Sequence, residues 1–438
     1  MNFYNYEEFG KYLQTFGVTR AFFKPLSEND NSKNQIYFGG SFQVLQQIPF
    51  GKITEFPENK DPNYKASVNF WWINNSGQIS SAPNTQLILY TRYPEVRLSG
   101  FLSNCPAAPR EHLQPLLRDE RTNNNSKDGR VLILGICPDN KVLGFLAIKD
   151  SSLAKSIMAN LYSDEHGKVI QEFPLKGLLG TEKIDLINKL HDIVKTGWHE
   201  SVKLYPNGEI KPYYNKANSG GYTLEALFGI IPNGDSKPDY KGWELKTFSR
   251  TRITLMTPEP DQGFYHERGA KEFVLKYGHD TPNAVKYFTG THKVDVRNTA
   301  SQMTLTIKGF DFNRGTISDM TGGLYLLDRN NDPAAIWTFN KLLSLWCKKH
   351  SHACYINYKS AEKNGKPGYV YYTPVHMGEN TDLSMFLKTM QSGMAVYDPA
   401  LKVTVNTKGN MTVKPRNQFR INFKNLILLY ERFYKQNV

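Results

Sequence analysis

The chain has 438 residues, 39% hydrophobic and 22% charged, which excludes a disordered or fibrous polypeptide and predicts two or three domains. Lysine and arginine outnumber aspartate and glutamate to leave a formal charge of +13, so a polyanion, nucleic acid first, is the expected partner, with a merely solvated basic surface as the alternative. Four scattered cysteines, Cys105, Cys137, Cys347 and Cys354, exclude a disulfide framework and fit a reducing interior.

At the amino end, MNFYNYEEF carries aromatics and glutamates where a secretory signal needs a basic and then an apolar stretch, so no export is expected. Segments rich in aromatic and β-branched residues follow at 35–38, 66–73, 86–93, 130–136 and 141–148, separated by polar loops. This half reads as mostly β, with a barrel or sandwich as the natural way to bury its faces and dispose of sheet edges. Its apolar runs, such as VLILGIC at 131–137, are far shorter than the roughly 20 residues that cross a bilayer.

After Pro174-Leu-Lys-Gly177 the pattern changes, and a domain boundary is expected near 178–182. Leu186, Ile187, Leu190, Ile193 and Val194 fall on one face of a helix over 182–196. A Gly-, Pro- and Asn-bearing loop at 206–221 leads to a second helix at 223–228, stopped by Gly229. Further helices are predicted at 334–348 and 384–391 and strands at 355–358 and 369–373, which makes the second half a mixed α/β domain with no third module.

The run KPDYKGWELKTF at 237–248 carries the chemistry. On a strand, Glu244 and Lys246 share one face while Trp243, Leu245 and Thr247 take the other. A turn would bring the Asp239 carboxylate beside Glu244, and two carboxylates with a backbone carbonyl are hard oxygen ligands suited to Mg²⁺. A lysine beside them can orient or deprotonate an attacking water and offset charge on a scissile phosphate, which points to phosphodiester hydrolysis. An exposed charged strand face is the competing reading of this spacing. Upstream, Glu225 in GYTLEALFG is read near the amino end of its helix, either as a third carboxylate at the site or as a charge that favours the helix dipole.

These residues, with GWHES at 197–201, LMTPEP at 255–260, MAVY at 394–397, KPR at 414–416 and QFRIN at 418–422, resemble the MvaI/BcnI restriction endonucleases. Those enzymes are relatives of the mismatch-repair nickase MutH within the PD-(D/E)XK nuclease fold, and the likeness spans roughly 181–438. The resemblance implies that Asp239 and Glu244 hold the metal, that Lys246 activates water and that Glu225 matches the supporting helix glutamate of MutH. It also implies that Tyr397 is the active-site tyrosine and that Arg420 reads guanine in the major groove. One departure is that a histidine some members place near the scissile phosphate has no counterpart between Tyr397 and Phe419, where Lys414 and Arg416 are the cations able to stand in.

The amino-terminal half, through FFKPLSEND at 22–30 and YTRYPEVR at 90–97, is similar to the effector domains of type IIE restriction enzymes, which share the pseudobarrel of plant B3 DNA-binding domains. That likeness implies one DNA-gripping arm with Ser27, Asn29 and Asp30 and another with Arg92, Glu95 and Arg97. A charged hairpin tip exposed to water is the alternative.

The combined expectation is a B3-like pseudobarrel over 1–178 and an α/β PD-(D/E)XK nuclease domain over 182–438. By resemblance this is a Mg²⁺-dependent type II enzyme of the prokaryotic cytoplasm, acting as a monomer on double-stranded DNA at a CC(A/T)GG-like site, with two copies of the site able to bind at once. A MutH-like nickase directed by methylation or a partner, and a non-cleaving DNA-binding regulator, are the rivals. Cys347, His350, His352 and Cys354 offer zinc-binding types within eight residues, but they straddle a helix-to-strand turn and are read as two core cysteines and two surface histidines.

Overall fold

The computed structural model describes residues 2–27, 34–93, 95–114, 127–164, 168–175, 181–214, 218–232, 238–282 and 284–438. The chain divides into two compact units, Met1–Glu182 and Lys183–Val438. Residues 178–180 of the expected boundary, and the candidate arm residues Asn29 and Asp30, lie outside the described residues.

In the first unit the β-rich segments pair into two sheets. One runs in the order Gln171–Glu172, Arg20–Ser27, Lys127–Ile136, Val142–Ala147, Phe70–Ile73 and Ile79–Ser81. The other runs Gln35–Gly39, Glu95–Ser99, Gln86–Tyr90, Asn63–Ser67 and Ile53–Phe56. No closed barrel is traced among the described strands. The run at 66–73 is two strands in different sheets, broken at Val68-Asn69. Two helices absent from the sequence reading, Tyr6–Gln14 and Ser152–Asn160, place Phe9, Leu13, Leu153 and Ile157 in one core with Phe23, Ile133 and Phe145 of the first sheet. The first has a local signal in Asn5, whose Oδ1 accepts from the Glu8 backbone N–H at 2.8 Å.

The second unit is built on a sheet ordered Trp198–Glu200, Lys366–Glu379, His352–Lys363 and Glu244–Phe248, with Arg432–Gln436 also pairing to Lys366–Glu379. Glu244–Phe248 lies parallel to His352–Lys363, with Glu244 opposite Ala353 and Lys246 opposite Tyr355. The helix Thr181–Thr196 buries Leu186, Leu190 and Ile193 against Leu224 and Phe228 of the helix Ser219–Phe228 and against Trp243, Leu245, Cys354 and Ile356 of the sheet. One face of the Glu244–Phe248 strand is therefore consumed by the core, which leaves the other for the charged pair.

Two predicted boundaries change. The helix expected over 334–348 is a strand, Pro333–Thr338, followed by a helix, Phe339–Lys349. Residues 333–338 pair with Gly323–Leu327, and the Thr338 hydroxyl caps the helix by accepting from the Lys341 N–H at 3.3 Å. The helix expected from Thr223 begins at Ser219, so Glu225 sits in its last turns, beside the Gly229 cap in left-handed conformation, and not near its amino end. The favourable dipole reading of Glu225 is thereby withdrawn, because a carboxylate there faces the negative end of the helix.

Candidate active site

The turn between Asp239 and Glu244 makes the site. Tyr240 and Trp243 exchange backbone hydrogen bonds of 2.9 and 2.8 Å around Lys241 and Gly242, whose φ values of 45° and 85° both lie in the left-handed region. Such a two-residue reversal needs φ > 0 at both central positions, which glycine accepts without strain. The chain folds back so that the Leu245 N–H donates to Asp239 Oδ2 at 2.9 Å. Lys246 Nζ donates to Glu244 Oε1 at 2.7 Å, so the two side chains share one face, as the strand alternation predicts.

Glu225 reaches the same cluster from its helix and interacts electrostatically with Asp239, Glu244 and Lys246. Burial, reinforced by Asp239 and Glu244, pushes the Glu225 carboxyl up to about 7. Burial and then Glu244 raise Asp239 to about 6. Glu244 goes the other way: burial would raise it, but Lys246, Lys349 and His350 together outweigh burial and hold it below the ordinary carboxylate value. Lys246 mirrors this, since burial would lower it while Glu244, Asp239 and Glu225 keep it above the usual lysine value. The cluster thus contains one ionised carboxylate, one charged ammonium and two carboxylates that burial, then neighbouring negative charge, makes hard to ionise.

Glu244 is 3% exposed, and its Oε2 has no hydrogen-bond partner among the described residues. A buried carboxylate oxygen left open beside a second carboxylate is what a divalent cation would complete, because Mg²⁺ takes one or two carboxylates and keeps several waters. Asp239 and Glu244 therefore fit such an ion. No group of three or more histidine, cysteine, aspartate or glutamate side chains among the described residues is arranged to hold a metal.

Two neighbours of the cluster escape the sequence reading. Lys349, the last residue of its helix, acts on all three carboxylates. His350 is not a surface histidine: it is 1% exposed, stacks on Trp346 at 4.3 Å and is pushed down to about 3 by burial, with Lys246 adding to the shift. The only signal for either is that this helix runs directly into the strand parallel to Glu244–Phe248.

The other candidates each have their own surroundings. The Tyr397 ring is fully buried against Trp337 and Phe419, and its hydroxyl donates to Asn417 Oδ1 at 2.7 Å. Asn417 in turn donates to Glu259 Oε2 and Tyr265 Oη at 3.2 and 3.0 Å. Among the described residues the Tyr397 hydroxyl is taken up by this buried network, and no hydrogen bond joins it to Asp239, Glu244 or Lys246. Lys414 and Arg416 are exposed, and Arg420 is part-buried against Asp398. In the first unit Ser27 and Arg92 are exposed, while Arg97 pairs with Glu95 at 2.9 Å, bonds Gln35 at 3.3 Å and lies over the Tyr90 ring. His199, in the strand Trp198–Glu200, contacts the Ile193 carbonyl at 2.8 Å and braces the end of the helix before it.

The model of the MvaI/BcnI restriction endonuclease family matches residues 187–430. Among solved structures the chain is similar to "Restriction endonuclease MvaI-cognate DNA substrate complex", at 18% identity and TM-score 0.46 over 57% of this chain and 97% of that one. It is also similar to "Restriction endonuclease MvaI in the absence of DNA", at 16% identity and TM-score 0.33 over 58% and 97%. Comparison with curated proteins gives no match.

Proposed function

The chain belongs to the MvaI/BcnI restriction endonuclease family, a site-specific deoxyribonuclease, and we propose that it cuts DNA through a Mg²⁺-assisted hydrolysis centred on Asp239, Glu244 and Lys246. The observation that carries this reading is the unpartnered, buried Glu244 Oε2 beside carboxylates whose ionisation is suppressed. Asp239 and Glu244 would hold the ion. When bound, it would lower the pKa of a water and offset charge on the phosphoryl oxygens.

The chain's own groups supply the rest. Lys246, kept charged by its neighbours, donates a hydrogen bond to the attacking water or a phosphoryl oxygen and does not serve as the proton acceptor. Glu225, most easily protonated of the three carboxyls, supports the cluster from the helix and is the group able to take up a proton near neutral pH. Tyr397 acts as a positioning residue, through Asn417, for the segment bearing Arg416 and Arg420. Lys414 and Arg416 contact phosphates, and Arg420 reads guanine, within a site of the CC(A/T)GG kind.

For the first unit, the proposal is an effector domain of the B3 type that binds a second copy of the site, using Ser27, Asn29 and Asp30 on one arm and Arg92, Glu95 and Arg97 on the other. The braced Arg97 and the net positive charge support it. The catalytic unit would act as a monomer, cutting the two strands in turn.

The test is cleavage of supercoiled plasmids carrying zero, one or two CC(A/T)GG sites, with and without Mg²⁺, followed by sequencing of the ends. Linear product that needs Mg²⁺ and a site, formed faster on two sites, is the expected result. Discrete cutting elsewhere would discard the site, and nicking alone would favour a MutH-like nickase.

A further inference from the structure

A second arginine stands beside Arg420, held by the same carboxylate. Asp398 Oδ2 accepts from Arg420 Nη1 at 2.8 Å and from Arg252 Nη1 at 3.0 Å, while Asp398 Oδ1 accepts from the Thr291 hydroxyl at 3.2 Å. Arg252 Nη1 also reaches the Thr291 hydroxyl at 3.3 Å, and Arg420 Nη2 donates to the Arg252 carbonyl at 3.4 Å. Thr254 and Val396 lie opposite Arg420 from either side of the strand Phe419–Asn422, so by alternation Arg252 and Asp398 fall on the face of Arg420, one toward each end of that strand, and their side chains meet across it.

Arg252 is 46% exposed against 28% for Arg420 and 15% for Asp398, so the clamp is inside and the arginine fork is outside. Its Nη2 and Nε make no hydrogen bond among the described residues. A cation meant for phosphate gains nothing from sharing a carboxylate, because the carboxylate repels phosphate. A base edge is neutral, so the same carboxylate fixes the plane of the guanidinium at little electrostatic cost. Both Nη1 atoms bond one oxygen, which places the two planar groups close enough to address stacked neighbouring bases.

We propose that Arg252 is a second base-reading residue, which takes the O6 and N7 acceptors of the guanine next to the one read by Arg420. This rests on the reading of Arg420 given above. Arg252 opens the strand that follows Glu244–Phe248, and Phe248 of that preceding strand stacks on Phe423 at 4.7 Å. The reader is thereby held at a set distance from Lys246, which couples base recognition to the scissile phosphate.

The test uses the full-length protein and duplexes bearing the site mapped from the ends it makes, with each guanine replaced in turn by 7-deazaguanine, which lacks N7. For the unaltered protein each read guanine should show a loss of about 10- to 100-fold in kcat/KM. Arg252→Ala should erase the penalty at one guanine, and Arg252→Lys, whose single ammonium can serve the base only by giving up the Asp398 pair, should weaken the penalty at the same one. Arg420→Ala should erase a different one. If both Arg252 variants retain every penalty, whether overall cleavage falls or not, Arg252 is a staple or a phosphate contact and the proposal is overturned. If Arg420→Ala erases none while Arg252→Ala erases one, the reading of Arg420 fails and that of Arg252 stands.

Discussion

Three carboxyls and one ammonium share a small buried volume, yet each has a different electrostatic position, set by burial and by which neighbour is nearest. Glu244 touches Lys246 and stays ionised, whereas burial, with neighbouring carboxylates adding to it, raises Asp239 to about 6 and Glu225 to about 7. Between their ordinary values near 4 and these raised values, the folded chain binds more protons than the unfolded one, so stability falls as pH rises through that window. The metal-free protein should lose on the order of 2 kcal/mol between pH 5 and pH 8 from these groups. Mg²⁺ should therefore raise the melting temperature more at pH 8 than at pH 5, and an equal or inverse response in thermal scans would contradict the assignment. Lys246→Ala should lower plasmid cleavage by about 10²–10³-fold or more, since it removes a donor aimed at developing charge. Residual duplex binding in a gel should persist, because other cations carry the phosphate contacts.

At the scale of elements, the turn 240–243 and the helix Ser219–Phe228 bring the carboxyls together. Gly242→Ala forces an L-residue into φ of 85° and should cost about 1–2 kcal/mol in urea unfolding. Its cleavage rate should fall further than this modest destabilisation explains, because Asp239 swings on that turn. Normal cleavage in the folded variant would mean that Asp239 is not needed where it stands. Glu225→Gln removes a suppressed ionisation from the same cluster. It should raise metal-free stability at pH 8, leave it nearly unchanged at pH 5, and lower cleavage, with thermal scans at the two pH values as the check.

At the scale of the whole molecule, the +13 charge bears on DNA affinity through counterion release. Replacing both Arg92 and Arg97 with alanine should reduce the faster cutting of a two-site plasmid, with little change on a one-site plasmid. Equal loss on both would place these arginines in the cutting event itself and remove the effector reading of the first unit. No helix among the described residues is long and apolar enough to cross a membrane.

Much of this molecule is local and therefore legible in the chain. Strand alternation puts Glu244 and Lys246 on one face and Trp243 and Leu245 on the other, and helical spacing marks Leu186, Leu190 and Ile193 as a core stripe. Both follow from backbone periods of two and 3.6, which need no knowledge of distant residues. The strand at 333–338 was hidden because an apolar run beside a helix has the same composition as the helix, and only pairing with Gly323–Leu327 separates them. The burial of His350, the network around Tyr397 and the Asp398 clamp on two arginines join residues up to 158 positions apart in the chain. Electrostatic position depends on distance and burial, and these are set by tertiary packing, so composition and spacing could name the charged groups but not which would be ionised, shared or enclosed.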